Sequence, residues 1–489
     1  MEPKSRNFEE NAHQAMKNPQ LQTALAKMKV GFVERRAAAA DRLPEFDALR
    51  DQARDIKNHV LDNIDFYLER FEEKVTEQGG QVHWARNATE ACDIIGDICK
   101  SVNAKMVTKG KSMVAEEIAL NAALEKQGLE VVETDLGEYI IQLRKEAPSH
   151  IIAPAIHVLK EQVAENFRDK HEGLDPDRVL DEPTQLIHEA REVLRQKYID
   201  SDVGITGANF LIAETGTSVI VTNEGNGDLT QTLPKVHVVI ASLEKVVPTL
   251  EDASAILRVL ARSATGQEFS AYTTFSSGPK RAEDPDGPEE YHVVLLDNGR
   301  SSMLGTEFQE MLRCIRCGAC MNHCPVYGAV GGHAYGWVYP GPMGSVLTPS
   351  FIGVEEGGKL PNASTFCGRC EQVCPMRIPL PKMMRHYRAQ EFEKGYASRT
   401  SRWALKAWAF LARRPGLYQA LTGIGIRILG DIGRRRGTFS KLPLASGWTD
   451  HRDMPVPRGR TFQQLWAEKN GRRSPGKRLE NSEKEGSGQ

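Results

Sequence analysis

CIRCGACMNHCP (Cys314–Pro325) and CGRCEQVCP (Cys367–Pro375) decide how the rest of the chain is read. The first stretch has the spacing C-x2-C-x2-C-x3-C, with a proline directly after the last cysteine. Tight C-x2-C turns let successive thiolates converge on one metal cluster. The fourth cysteine, beyond the turn, points away, and in two-cluster ferredoxin modules it serves the other cluster. The second stretch repeats the spacing without its first member, and the register puts Ser364 where that cysteine would stand. Crossing the fourth ligands predicts one iron–sulfur cluster on Cys314, Cys317, Cys320 and Cys374, and another on Cys324, Cys367 and Cys370. The first set is complete for [4Fe-4S]. The second lacks a thiolate: Ser364 oxygen, water, a partner's group or nothing fills the place, and the site suits [3Fe-4S] or a [4Fe-4S] cluster with one labile iron. C-x2-C pairs also suit tetrahedral zinc, but four cysteines within eleven residues and a proline closing each motif fit the ferredoxin pattern better. His323 and His333 lie nearby; histidine ligates iron in some clusters, and ordinary hydrogen-bonded histidine is the simpler reading.

Working outward, the region before the motifs alternates. QVHWA (81–85), MVTKG (106–110), EVVETD (130–135), HIIAPA (150–155), SVIVTN (218–223), VHVVIASL (236–243) and YHVVLLD (291–297) are short Val- and Ile-rich runs of the buried-strand kind. Helical stretches separate several of them, which implies βαβ units and a largely parallel sheet. Residues 61–299 are therefore expected to form an α/β domain, with a helix in Val247–Gly266 and a charged surface loop at Ser277–Glu290. Cys92 and Cys99 lie seven apart in TEACDIIGDICKSV (89–102), on one helical face, and are expected in the core. Residues 1–60 read as a helical N-terminal extension and 300–395 as an α-helical two-cluster domain. Within that domain SSMLGTEFQEMLRCI (301–315) is expected to lead in as a helix. Val326–Ala363, dense in glycine and proline and without periodicity, is expected to wrap as a loop. A basic helical region, 396–468, and a polar disordered tail, 469–489, complete the chain.

At 489 residues the chain exceeds what one core usually serves. Hydrophobic residues make up 40% and charged residues 26%, and a net charge of −2 gives no global field that would draw nucleic acid. The first seventeen residues have no apolar centre, so no secretory signal is expected. No run approaches the roughly 18 apolar residues of a membrane span. The expectation is a cytoplasmic protein in a reducing compartment, where clustered cysteines are metal ligands rather than disulfides.

Two further stretches draw notice. Gly204–Gly227 places glycines, threonines and Asn223-Glu224 between strand-like runs. Such turns can cradle an anion, or the glycines can simply supply positive φ. Glu214, Asn223 and Glu224 are the candidate substrate-binding groups, and Glu214 and Glu224 the candidate acid–base pair. Ser398–Arg436 carries eight arginines and Lys406 against a single acid, Asp431, interleaved with Trp403, Leu405, Trp408, Phe410 and Leu411. It suits internal packing, docking on a partner, or an anionic membrane surface; no nucleic-acid-binding motif accompanies it.

CIRCGACMNHCPVY, the GPMG at 341–344 and FCGRCEQVCPMRIPLP closely resemble the lactate-utilisation iron–sulfur protein family, the LutB type. Upstream, GITGANFLIAETGTSVIVTNEGNGDLTQTLPKVHVV and GPEEYHVVLLDNGRS resemble its lactate-utilisation (LUD) domain. The likeness runs from about residue 20 to about 465. It implies an α/β domain similar to ribose-phosphate isomerases and CoA transferases (NagB/RpiA-like). It also implies a role in oxidising L-lactate to pyruvate beside a cysteine-rich subunit and a smaller LUD-domain subunit, with a respiratory electron acceptor. Serine at position 364 leaves the nuclearity of the second cluster open.

No G-x-G-x-x-G fingerprint opens a βα unit, although oxidising a hydroxy acid calls for a two-electron acceptor that cofactors normally supply. The reading is therefore an electron-transfer subunit of a lactate-oxidising complex rather than a self-sufficient enzyme. Its rival is an enzyme whose α/β domain binds and oxidises a small hydroxy acid, with the clusters as electron outlet. A cluster-bearing redox sensor would want a DNA-binding or signalling element, and none is found.

Overall fold

Five of the apolar runs pair, with Val203–Gly207, into one sheet. In the computed structural model, which describes residues 3–442, 446–449 and 452–471, the strands are β1 (Gln81–Ala85), β2 (Met106–Gly110), β3 (Glu130–Glu133), β4 (Val203–Gly207), β5 (Phe210–Ile212), β6 (Thr217–Thr222), β7 (Val236–Ser242), β8 (Val246–Val247), β9 (Tyr272–Ser276) and β10 (Glu290–Leu296). The large sheet has the order β1-β10-β7-β4-β2-β3, and every neighbouring pair is parallel. Its inner strands are largely buried because helices cover both faces; β4 and β7 are buried at every position. A smaller sheet, β8-β5-β6-β9, stands beside it.

The helices follow from local signals. Ala88–Ser101 starts at Asn87, whose side chain accepts the Glu90 N–H at 3.0 Å, a cap that contributes about 1 kcal/mol. Its apolar face buries Ala91, Cys92, Ile95, Ile98 and Cys99, so both cysteines serve as core residues. Leu250–Ala264 opens at Thr249, which accepts the Asp252 N–H.

Three expectations are corrected. HIIAPA forms no strand: Pro154 lacks a donor, and the His150 ring accepts the N–H groups of Ile152 and Ala153 at 3.1 and 3.2 Å, a local alternative to a ladder. SSMLGTEFQEMLRCI is not one helix but two short 3-10 turns, Ser301–Met303 and Gln309–Arg313, parted at Gly305 where φ is +70°. Val326–Ala363 is not a bare loop. It contains the twelve-residue helix Gly341–Ile352, and Gly341–Pro349 is buried on every side. A helix enclosed all round shows no amphipathic period.

The chain divides into two compact units, 1–394 and 395–489. Within the first, the N-terminal helices are part of the cluster domain's core. Phe8, Leu25, Phe46 and Leu49 pack in one apolar cluster with Met311, Tyr327, Met343 and Met376. Arg50 donates to the Cys374 carbonyl at 2.7 Å, and Arg36 to that of Val373 at 2.8 Å. The second unit holds the helices Arg399–Ala412 and Pro415–Gly433; no residue of Arg399–Ala412 is buried. Residues 472–489, most of the expected disordered tail, lie outside the described residues. No helix among the described residues is long and apolar enough to cross a membrane.

Candidate iron–sulfur centre and adjoining cavity

The two cysteine motifs repeat in backbone as well as in spacing. Arg316 and Gly318 flank Cys317 with φ of 59° and 73°, and Phe366 and Gly368 flank Cys367 with 53° and 78°. Each glycine leads into a short helix, Ala319–Asn322 or Arg369–Val373. The turn aims the Ala319 N–H at the Cys317 sulfur and the Arg369 N–H at the Cys367 sulfur. Holding a non-glycine residue left-handed costs about 1–2 kcal/mol, and each is gripped by a neighbour. The Arg316 guanidinium lies 4.7 Å from the Tyr339 ring centre; Arg388 lies 4.2 Å from that of Phe366. This equivalence sets Ser364 opposite Cys314.

Cys314, Cys317, Cys320 and Cys374 line one small cavity, walled otherwise by apolar groups such as Ile151, Met311 and Met343. Cys324, Cys367 and Cys370 act on one another electrostatically, and Cys320 and Cys370 are the members through which the two groups adjoin. Among the described residues no three His, Cys, Asp or Glu side chains close around a single ion; the four thiols stand around a space instead. Burial pushes the Cys374 thiol up to about 11 and the Cys320 thiol well above its ordinary value. In such surroundings a thiolate persists only where it ligates a cation. N–H groups of Met376 and Ile378 reach the Cys374 sulfur. Four thiols, an apolar wall and inward-turned amides are a donor set that fits an iron–sulfur cluster.

The second group is built differently. Cys370 is buried, Cys324 half-buried and Cys367 exposed. The Arg369 N–H and the Thr365 side chain hold the Cys367 thiol below its ordinary range, whereas burial pushes Cys370 up to about 12. The Tyr335 hydroxyl reaches Cys324. Ser364 Oγ accepts the Phe366 N–H at 3.1 Å, so its hydroxyl caps the turn into the motif, and its carbonyl accepts from Arg388 at 3.1 Å. His323 Nδ1 bonds the Ala319 carbonyl, and His333 Nε2 that of Ala147.

A larger cavity of about 170 Å3 lies at the carboxyl ends of the parallel strands. Lys111 and Ser112 follow β2, Asp135 follows β3, and Gly207–Asn209 close β4. β2 and β4 are neighbours whose chain connections leave in opposite directions across the sheet, which is where α/β sheets place ligands. Gly207 permits the closure, since a Cβ there would stand 2.5 Å from the Lys111 carbonyl oxygen. The cavity's far wall belongs to the cluster domain through Arg316, and Ile151 lines both this cavity and the one formed by the four thiols. Of the sequence candidates, Asn223 lines the cavity and Glu224 lies 3.5 Å from the Lys111 ammonium at its margin. Glu214 is exposed in the turn between β5 and β6 and does not line it.

A buried charge network adjoins the larger cavity through Arg316 and Lys245; sequence reading missed it, because its members come from distant segments. Arg300 bonds Glu117 at 2.7 and 3.0 Å and lies 3.1 Å from Glu244. Tyr339 donates to Glu117 at 2.5 Å, and Arg316 lies 3.5 Å from Glu244. Lys57 donates to the carbonyls of Glu244 and Val246. Burial pushes the Glu244 carboxyl up, yet Arg300 and Arg316 outweigh it and bring it to about 2. Burial brings Lys57 down to about 7 and Lys245 down to about 8. Among the described residues, Glu117 and Glu244 are the carboxylates that act on Lys57, Lys245, Arg300 and Arg316. The Cys314 sulfur is the further negative group that acts on Lys57, Lys245 and Arg316.

A parallel α/β domain joined to a twinned cysteine module defines the class. Residues 68–296 match the LUD domain and residues 310–378 the 4Fe-4S dicluster domain, so the protein carries iron–sulfur ligation. Residues 384–471 match the C-terminal domain of lactate utilisation protein B. The lactate utilization protein B of Oceanobacillus iheyensis is 42% identical over 95% of this chain and 96% of its own length. That of Bacillus subtilis is 41% identical over 94% and 96%. The electron transport protein YkgF of Escherichia coli is 39% identical over 95% and 96%. The chain belongs to the lactate utilization protein B family. A DUF162 family protein from Deinococcus radiodurans, 16% identical, aligns over 48% of this chain and 98% of its own with a TM-score of 0.27, too low to bear on the fold.

Proposed function

We propose that the chain relays electrons from the oxidation of L-lactate to pyruvate toward a respiratory acceptor, by way of two iron–sulfur clusters. Cys314, Cys317, Cys320 and Cys374 would hold one, and Cys324, Cys367 and Cys370 the other. Clusters bound there supply one-electron uptake and release, at potentials set by amide hydrogen bonds and exposure. The observation that carries the reading is the gradient between the thiol sets. The first is walled in beside the α/β cavity, and the second reaches the surface at Cys367. Such a gradient gives electrons an inner entry and an outer exit, with Cys320 and Cys370 at the junction.

The family relationship supports a role in lactate utilisation; a cysteine-rich subunit and a smaller LUD-domain subunit are the proposed partners. The electron-transport name of one relative agrees with a relay role. The basic, aromatic helices of residues 398–436 are the proposed contact with a partner or with the inner face of the membrane. The second reading, that the α/β domain handles the hydroxy acid itself, is favoured by one observation: Ile151 alone lines both the cavity and the thiol site. Anaerobic mixing of the reconstituted chain with L-lactate, with and without its partner subunits, separates the two. The relay reading expects cluster reduction by electron paramagnetic resonance only when the partners are present. Reduction by lactate in the isolated chain would favour the second.

A further inference from the structure

The cavity at the ends of β2 and β4 has a charge arrangement that the relay role does not use. Lys111 is paired there with Asp135 and approached by Glu224. Burial and the neighbouring Glu133 and Asp135 raise the Glu138 carboxyl well above its ordinary value, and Glu138 accepts the Lys111 N–H at 3.1 Å. The unpaired cation is Lys245. It is 7% exposed, it lines the cavity, and among the described residues no group hydrogen-bonds or ion-pairs with its ammonium. Arg316, whose charge acts on it, stands on the same cavity wall. Burying a cation without a partner costs several kcal/mol. Neighbouring cations make that worse, so an anion is what the place lacks. Glu244 and the Cys314 sulfur also act on Lys245, yet neither lines the strand-end cavity, so the anion lacking is one on the cavity side.

A second group is poised alongside. Asn209 Oδ1 accepts the Val221 N–H at 2.9 Å, which fixes the amide orientation. Its NH2 group has no partner among the described residues, and Asn209 lines the same cavity. Size narrows the ligand: about 170 Å3 falls below the roughly 300–1,000 Å3 of pockets for drug-sized molecules. An acid of a few heavy atoms suits a space of that size.

We propose that this cavity binds a small organic carboxylate through the Lys245 ammonium, with the Asn209 amide donating to a second oxygen, one side-chain layer from the first thiol set. The anion site stands on the cavity's own geometry; choosing a 2-hydroxy or 2-oxo acid as the occupant rests on the lactate-utilisation reading.

Calorimetric titration of the full chain, anaerobic and cluster-loaded, with L-lactate, pyruvate, acetate and inorganic phosphate tests it. Saturable binding of L-lactate or pyruvate is expected, and tighter than acetate. Lys245→Met should weaken it about ten- to a hundredfold, the loss of a charge-assisted contact. That variant removes an unpaired buried charge and keeps the volume, so it should fold. Asn209→Leu should weaken binding severalfold and narrow the advantage over acetate, and it serves if Lys245→Met does not fold. No carboxylate binding, binding of phosphate alone, or unchanged affinity in both variants would overturn the site. Binding that persists where lactate never reduces the clusters, even with partners, would instead overturn the relay reading and leave the site standing.

Discussion

Cys314, Cys317, Cys320 and Cys374 line one apolar cavity and are all buried or half-buried; among Cys324, Cys367 and Cys370, Cys367 is exposed. The backbone is the same in both, down to the paired left-handed residues at Arg316 and Gly318 and at Phe366 and Gly368. The difference lies in what packs outside the turns. The first set is enclosed by the N-terminal helix that carries Arg50, by Ile151, and by the helix beginning at Gly341. The second has Ser364, engaged in capping its own turn, and the exposed Cys367. A repeated motif therefore gives two unequal sites, and the inequality comes from distant residues rather than from the motif.

The largest expected effect tests that wall. Arg300 braces the network next to the first set, with Glu117 and Glu244 as its partners. Arg300→Met leaves both carboxylates buried without it and should cost about 3–5 kcal/mol of stability. Arg388 grips the Phe366 turn at the second set and is partly exposed; Arg388→Met should cost at most about 1–2 kcal/mol. Chemical denaturation of both variants checks the contrast, and equal losses would mean that the two sites are held alike. A smaller effect sharpens it. Ser364→Cys supplies the thiolate missing from the open set, and soft thiolates suit such iron better than a hydroxyl. Iron retained after brief air exposure should rise in that variant, and its electron paramagnetic resonance spectrum should change. Identical spectra and equal iron loss would show that Ser364 only caps the turn.

Much of this was legible in the sequence. The strand runs at 81–85, 106–110 and 236–243 stand in the sheet as read, because Val- and Ile-rich runs between helices have few other uses. The iron–sulfur module was legible because the cysteine spacing is that of a dicluster domain, which residues 310–378 match. The helix Gly341–Ile352 was not, since total burial erases its period, and HIIAPA failed because the His150 side chain takes its N–H groups. Glu214 drew notice for its type and neighbours, yet it sits in an exposed turn. Lys245, Asn209, Arg300 and Glu117 carry no local signal. They meet only once the strand ends and the cluster domain are brought together, and no window of sequence contains that encounter.

The central claim, that the two motifs exchange their last cysteines, is tested most directly by iron analysis and electron paramagnetic resonance of Cys374→Ala beside Cys324→Ala. Crossed ligation predicts that Cys374→Ala damages the buried cluster of Cys314, Cys317 and Cys320 and spares the spectrum of the other. Cys324→Ala should do the reverse. Loss confined in each variant to the cluster of its own motif would contradict the account.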